Sequence, residues 1–159
     1  MEGAWSRAAR AVAGRVGSKA MANYSIVVDR QGLWTGVVRY EGSFSFSCPC
    51  WWDPGEQIPT GIYYGCSATH LATKRNARGK PREGIFLPDV PERTGIFIHY
   101  WPGTRADVRI WSDGCALLLD EDMMRIWNDI HPKDARNVTV TIQNSLPKAA
   151  SYHGIGPQP

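Results

Sequence analysis

A cysteine set directly after a glycine, with a histidine sixteen positions earlier at the end of an apolar run, is the pairing in this chain best suited to covalent chemistry. The residues are Gly95-Ile96-Phe97-Ile98-His99, a variable stretch, then Ser112-Asp113-Gly114-Cys115. Glycine before a nucleophile lets the backbone bend sharply and expose the side chain that follows. The same bend frees the N–H groups of Gly114 and Cys115 to face a developing oxyanion. A helix N-terminus shortly afterwards lowers a thiol pKa, and His99 supplies the base that a thiol needs at neutral pH. Cys115, His99, Ser112 and Gly114 are therefore the candidate catalytic residues. Tyr100, Trp101, Arg105 and Asp113, in or beside the intervening stretch, are the candidate substrate contacts. Asp113 has two open roles: raising the thiol pKa by like-charge repulsion, or orienting His99.

The elements around this segment read as mostly β. Tyr24–Asp29 and Trp34–Tyr40 flank a Gln31-Gly32 turn and form a hairpin. Ser43–Ser47 alternates cleanly and places both Phe rings on one face. Cys48–Pro59 is rich in turn residues, and Gly61–Ser67 gives a fourth strand. Lys74–Arg82 reads as a basic loop, a solvated turn or a rim for an acidic polymer. Ile85–Leu87, Gly95–Tyr100 and Asn137–Gln143 are strand-like, and Val108–Trp111 is a further strand candidate. Asp120 is the expected cap of one clear helix, whose Met123, Ile126, Trp127 and Ile130 form a core-facing stripe ended by Pro132. The expected fold is mostly β with one main α-helix. Residues 1–20 form a basic arm, 21–145 the folded domain and 146–159 an irregular tail. The arm carries a thin Trp5/Ala9/Val12/Val16 stripe and is the candidate docking helix for a protein partner.

Composition narrows the function. A net charge of +3 is too small to argue for nucleic acid, and no stretch approaches the roughly 20 apolar residues that cross a membrane. Seven tryptophans and six tyrosines favour strands and suit a groove that grips a flexible polar polymer. Arg10, Arg15 and Lys19 interrupt every candidate signal-peptide core, so no Sec signal is read. Cys48-Pro49-Cys50 lacks the second close Cys/His pair of a zinc site. Cys48, Cys50 and Cys66 read as reduced structural residues, with a disulfide through Cys66 the alternative. No metal or cofactor is called for.

The order of these landmarks resembles the YkuD-type L,D-transpeptidase family. Its signature is a histidine at a strand end, a loop, then Ser/Thr-His-Gly-Cys. Ile58-Pro59-Thr60-Gly61-Ile62-Tyr63 resembles the Thr-Pro-Thr-Gly-aromatic stretch that opens a core strand upstream. The likeness spans residues 24–143 and implies a β-sandwich or barrel and an acyl enzyme formed with peptidoglycan stem peptides. Acyl transfer then goes to an amine, as cross-linking or exchange, or to water, as carboxypeptidase action. Cys115 resembles the nucleophile, His99 the base, Ser112 the motif's Ser/Thr and Gly114 its glycine. The chain departs in carrying Asp113 for the motif's second histidine, Leu117 for a polar residue or arginine, and Tyr100 for a small residue. Arg105 or Arg109 is then the candidate to meet a substrate carboxylate.

Peptidoglycan is the expected partner. An enzyme for the wall that lacks a signal must be carried out, by a phage virion or a contact-dependent secretion system, with residues 1–20 as its attachment. The alternatives are a catalytically inactive structural or wall-binding component of such an assembly, and cytoplasmic use on a soluble peptide.

Overall fold

The computed structural model describes residues 23–103 and 106–145; the arm 1–20, the tail 146–159 and Arg105 lie outside them. Eight strands close into a barrel: β1 (Tyr24–Arg30), β2 (Thr35–Glu41), β3 (Ser45–Trp51), β4 (Gly61–Arg75), β5 (Pro81–Leu87), β6 (Ile96–Tyr100), β7 (Ala116–Leu118) and β8 (Val138–Asn144). Around the barrel the order is β1-β2-β3-β7-β6-β5-β4-β8. Among the described residues two α-helices interrupt the strands, α1 (Val108–Ser112) and α2 (Asp120–Asp129), besides a 3-10 turn at Pro54–Glu56. The expectation of a mostly β chain holds.

Alternation explains the barrel. Tyr24, Ile26 and Val28 point inward from β1, and Val138, Val140 and Ile142 from β8. These strands pair in parallel, with Ile26 beside Val140 and Val28 beside Ile142, so the two ends of the described domain close the ring. Strands β2 and β3 add Val38, Tyr40, Cys48 and Cys50 to the interior, and β5, β6 and β7 add Ile85, Leu87, Ile96, Ile98, Ala116 and Leu118. Met123, Ile126 and Ile130 of α2 enter the same cluster. This helix runs between the β2–β3 turn and β4: Asp129 accepts from the Tyr40 hydroxyl at 2.6 Å and from the Ser43 N–H at 2.9 Å, and the Trp127 indole donates to the Thr69 carbonyl at 2.9 Å.

Four local expectations are corrected. Cys48–Trp51 belongs to β3 rather than to a turn. Pro49 fits there because β3 meets β7 only at Trp51, leaving the proline nitrogen on an edge. Lys74–Arg82 is no open loop, since Lys74 and Arg75 end β4, Pro81 and Arg82 begin β5, and only Asn76–Lys80 turns. The Asn76 side chain holds that turn by accepting from the Arg78 and Lys80 N–H groups. Val108–Trp111 is helical, because Asp107 caps it by accepting the Arg109 N–H at 2.9 Å and local bonding outweighs the β-branched composition. Helix α2 starts at Asp120 instead of being capped by it; Leu119 is the N-cap, and Asp120, Glu121 and Asp122 occupy the first turn, where the helix dipole favours them. The four cysteines are free and buried, and burial pushes the Cys48 and Cys66 thiols up to about 12.

Candidate active site

Strands β6 and β7 lie side by side and parallel, with Ile98 opposite Ala116 and His99 opposite Leu117. Parallel neighbours need a crossover, and residues 101–115, including α1, provide it. The inward residues of both strands feed the barrel interior. Their outward residues Phe97 and Leu117, with Cys115 just ahead of β7, join Trp101, Val108, Trp51 and Trp111 in a second apolar cluster beneath the crossover. The candidate site therefore sits on the barrel's outer wall, with packed side chains on both sides of the sheet.

Two successive left-handed residues bring the cysteine into place. Asp113 ends α1 at φ 42°, and Gly114 follows at φ 97°. At Gly114 a β-carbon would come within 3.1 Å of the Glu56 carbonyl oxygen and 3.0 Å of an Arg93 nitrogen, so both conformation and space require glycine. Ser112, fully buried, pins the turn. Its hydroxyl donates to the Cys115 carbonyl at 2.7 Å and accepts the Asp53 N–H at 3.0 Å, while its carbonyl accepts the Cys115 N–H at 2.6 Å. Ser112 is thus a positioning residue. The Cys115 N–H, expected to face an oxyanion, is already taken.

Cys115 and His99 line one cleft of about 520 Å³, together with Arg82, Lys74, Phe97, Trp111 and Asp113 among others. Register explains why they share a face. Cys115 precedes Ala116 and so stands opposite Phe97, and His99 projects from the same side of β6 two residues farther on, about 7 Å along the strand. They do not hydrogen bond to each other. The Cys115 sulfur accepts the Phe97 N–H at 3.3 Å and lies 3.9 Å from the Gly95 carbonyl, while His99 Nδ1 is 2.9 Å from the Tyr100 carbonyl oxygen.

Electrostatics keep both groups neutral. Burial pushes the Cys115 thiol up to about 11; the Asp113 carboxylate adds to this, while the Phe97 N–H and Arg82 oppose it. Burial likewise lowers the His99 imidazole to about 4, helped by the positive charges of Arg82 and Lys74 against the Tyr100 carbonyl and the Trp111 backbone. The expected activation by a following helix is therefore corrected. Helix α2 begins only after β7, and desolvation dominates the thiol. Of the two roles open to Asp113, the repulsive one is seen, and no hydrogen bond joins it to His99 among the described residues.

The remaining candidates separate. Trp101 is 1% exposed and tilts against Trp51 with ring centroids 4.9 Å apart, which makes it core rather than cleft wall. Tyr100 offers its carbonyl to His99 and its ring edge to Trp111 at 5.6 Å. Arg109 pairs with Asp107 at 2.9 Å on an exposed face. The cleft's cations come instead from the β4–β5 hairpin, as Lys74 and Arg82. The basic run 74–82 carried that signal, but which of its cations turns inward depends on the register between β4 and β5.

No helix among the described residues is long and apolar enough to cross a membrane, and no group of three or more His, Cys, Asp or Glu side chains there is arranged to hold a metal ion. Comparison with protein-family models, with curated proteins and with solved structures finds no match to the chain.

Proposed function

We propose that this protein is a cysteine acyltransferase or peptidase of the L,D-transpeptidase type, acting on peptidoglycan stem peptides. The observation that carries the reading is the shared cleft: Cys115, presented by a two-residue left-handed turn just ahead of β7, and His99, on the adjacent parallel β6, line the same space. Neutral imidazole is the form able to accept a proton. As the sulfur adds to the substrate carbonyl, the thiol proton passes to His99, directly after side-chain rotation or through a water in the cleft. The imidazolium then protonates the departing amine as the C–N bond breaks, leaving a thioester on Cys115. Attack by water or a second amine, deprotonated by His99, releases the acyl group and restores the thiol. The β-barrel and the order of the two landmarks support the family-level reading. Delivery by a virion or secretion machine, with residues 1–20 as the attachment, belongs to the same proposal and rests on the sequence alone.

A second reading has its own observation. The sulfur bonds within β6 and its approach, and His99 bonds to its neighbour's carbonyl, as inert side chains would in a structural or wall-binding component. Purified sacculi separate the two. Wild-type protein should release or exchange terminal amino acids of the stem peptides, and Cys115→Ala should abolish this with an unchanged fold. Equal activity in the variant would remove Cys115 as nucleophile, and inactivity of the wild type would favour the structural component.

A further inference from the structure

The guanidinium of Arg82 is placed as a ligand-reading group. It begins β5, one turn away from Lys74, and its side chain lies over the Trp111 ring with the guanidinium carbon 4.7 Å from the centroid. Nε donates to the Arg75 carbonyl at 2.9 Å. The residue is 9% exposed, yet it lines the cleft of Cys115 and His99. Among the described residues it forms no salt bridge, while Arg39, Arg78, Arg93 and Arg109 each have a carboxylate partner. The equally buried Arg30, also without one, is satisfied by the Asn144 amide oxygen and the Ile58 carbonyl away from the cleft. A buried cation normally requires an anion, because desolvation of an unpaired charge costs several kcal/mol. Arg82 has a ring face and one carbonyl, which hold its plane in place and leave its two terminal nitrogens without an anionic partner. The other charges lining the cleft are Lys74, which shares its sign, and Asp113, which forms no salt bridge with it.

We propose that the cleft binds a carboxylate through Arg82, beside the Cys115 sulfur. A planar guanidinium fixed by a ring and a backbone carbonyl can offer two parallel N–H donors to a carboxylate, with less ordering cost than a free surface arginine. The substrate class that fits is a peptide with a free carboxylate near the carbonyl under attack. That this carboxylate belongs to the acyl donor rests on the proposed acyl-transfer chemistry; the anion site itself stands on the surroundings of Arg82. Arg109, committed to Asp107, is not available for the task.

Alkylation of Cys115 tests the site without relying on turnover. Iodoacetate and iodoacetamide differ chiefly in the carboxylate, so the ratio of their rates at Cys115, read by peptide mass and divided by the ratio for glutathione at the same pH and salt, isolates the anion effect. The full chain should show a ratio severalfold above that of glutathione. Arg82→Gln should bring it to the glutathione value or below, and Arg82→Lys should keep part of it. N-acetylalanine should slow the iodoacetamide reaction of the wild type, and N-acetylalaninamide should not. A wild-type ratio at or below that of glutathione overturns the proposal whether or not the variants fold. So does equal protection by acid and amide, and so does a Cys115 that neither reagent reaches, since the cleft would then be closed to a carboxylate of this size. A preference for iodoacetate in a protein without activity on sacculi would uphold the anion site and remove the acyl-transfer reading.

Discussion

With a thiol near 11 and an imidazole near 4, the proton rests on sulfur at neutral pH, and the pair stands as neutral thiol and neutral imidazole rather than as a preformed ion pair. Burial is the main cause at both residues, so the same desolvation that stabilises the neutral forms here would strengthen any charge interaction formed during attack. For His99 this has a consequence for folding. In the unfolded chain an imidazole titrates near 6.5, while in the fold it titrates near 4, so the unfolded state binds more protons across that interval. Stability is therefore full above pH 6.5 and is lost as pH falls toward 4, by on the order of 3 kcal/mol from this residue. Urea unfolding at pH 7 and pH 4.5 should show the drop, and His99→Gln should flatten the difference between the two. An unchanged difference in the variant would place the acid sensitivity elsewhere.

At the scale of elements, the β6–α1–β7 crossover makes the site, and Ser112 ties that crossover to the segment following β3 through the Asp53 N–H. Ser112→Ala leaves one buried donor and one buried carbonyl without their partner, and should destabilise the protein by about 1–3 kcal/mol in thermal or urea unfolding. The variant should also lose activity on sacculi, because the turn presenting Cys115 loses its support; full activity with unchanged stability would contradict the role given to Ser112. The strands read in the sequence at Tyr24–Asp29 and Asn137–Gln143 are present, one residue off at their ends, as Tyr24–Arg30 and Val138–Asn144. They are legible because one face of each is buried in the barrel. What was not legible depends on partners. Cys48-Pro49-Cys50 looks like a turn until β3 is known to be nearly an edge there. Val108–Trp111 has strand composition and becomes helical through the Asp107 cap. At the site, His99 and Cys115 were legible because strand-end histidine and Gly-Cys are local patterns. Arg82 was not, because its inward direction is set by pairing across the β4–β5 hairpin, and Trp101 shows its role only through its burial.

The described residues form a closed ring of strands whose closure lies in the β1–β8 pair, joining residues 24–30 to 138–144. Among the described residues, what closes the barrel, packs α2 against it and lines the cleft falls within residues 24–144. A fragment of residues 21–145 should therefore unfold in one cooperative transition, within a few degrees of the full chain. A broad transition, or an unfolded fragment, would show that the flanking segments complete the core. The cleft lies on the outer wall, under the β6–β7 crossover rather than inside the ring, so it is separate from the barrel interior. If Cys115 is the nucleophile, its thiol carries an acyl group during the reaction. Incubation of the full chain with a soluble tetrapeptide stem, acid quench and mass measurement of the peptide containing Cys115 should show a thioester adduct heavier by the acyl donor's mass less that of the free amino acid released. The adduct should be absent in Cys115→Ala, and in His99→Gln both adduct and turnover should be strongly reduced at neutral pH, because no base takes the thiol proton. Turnover of the peptide without any adduct on Cys115, or an adduct on another residue, would contradict the claim.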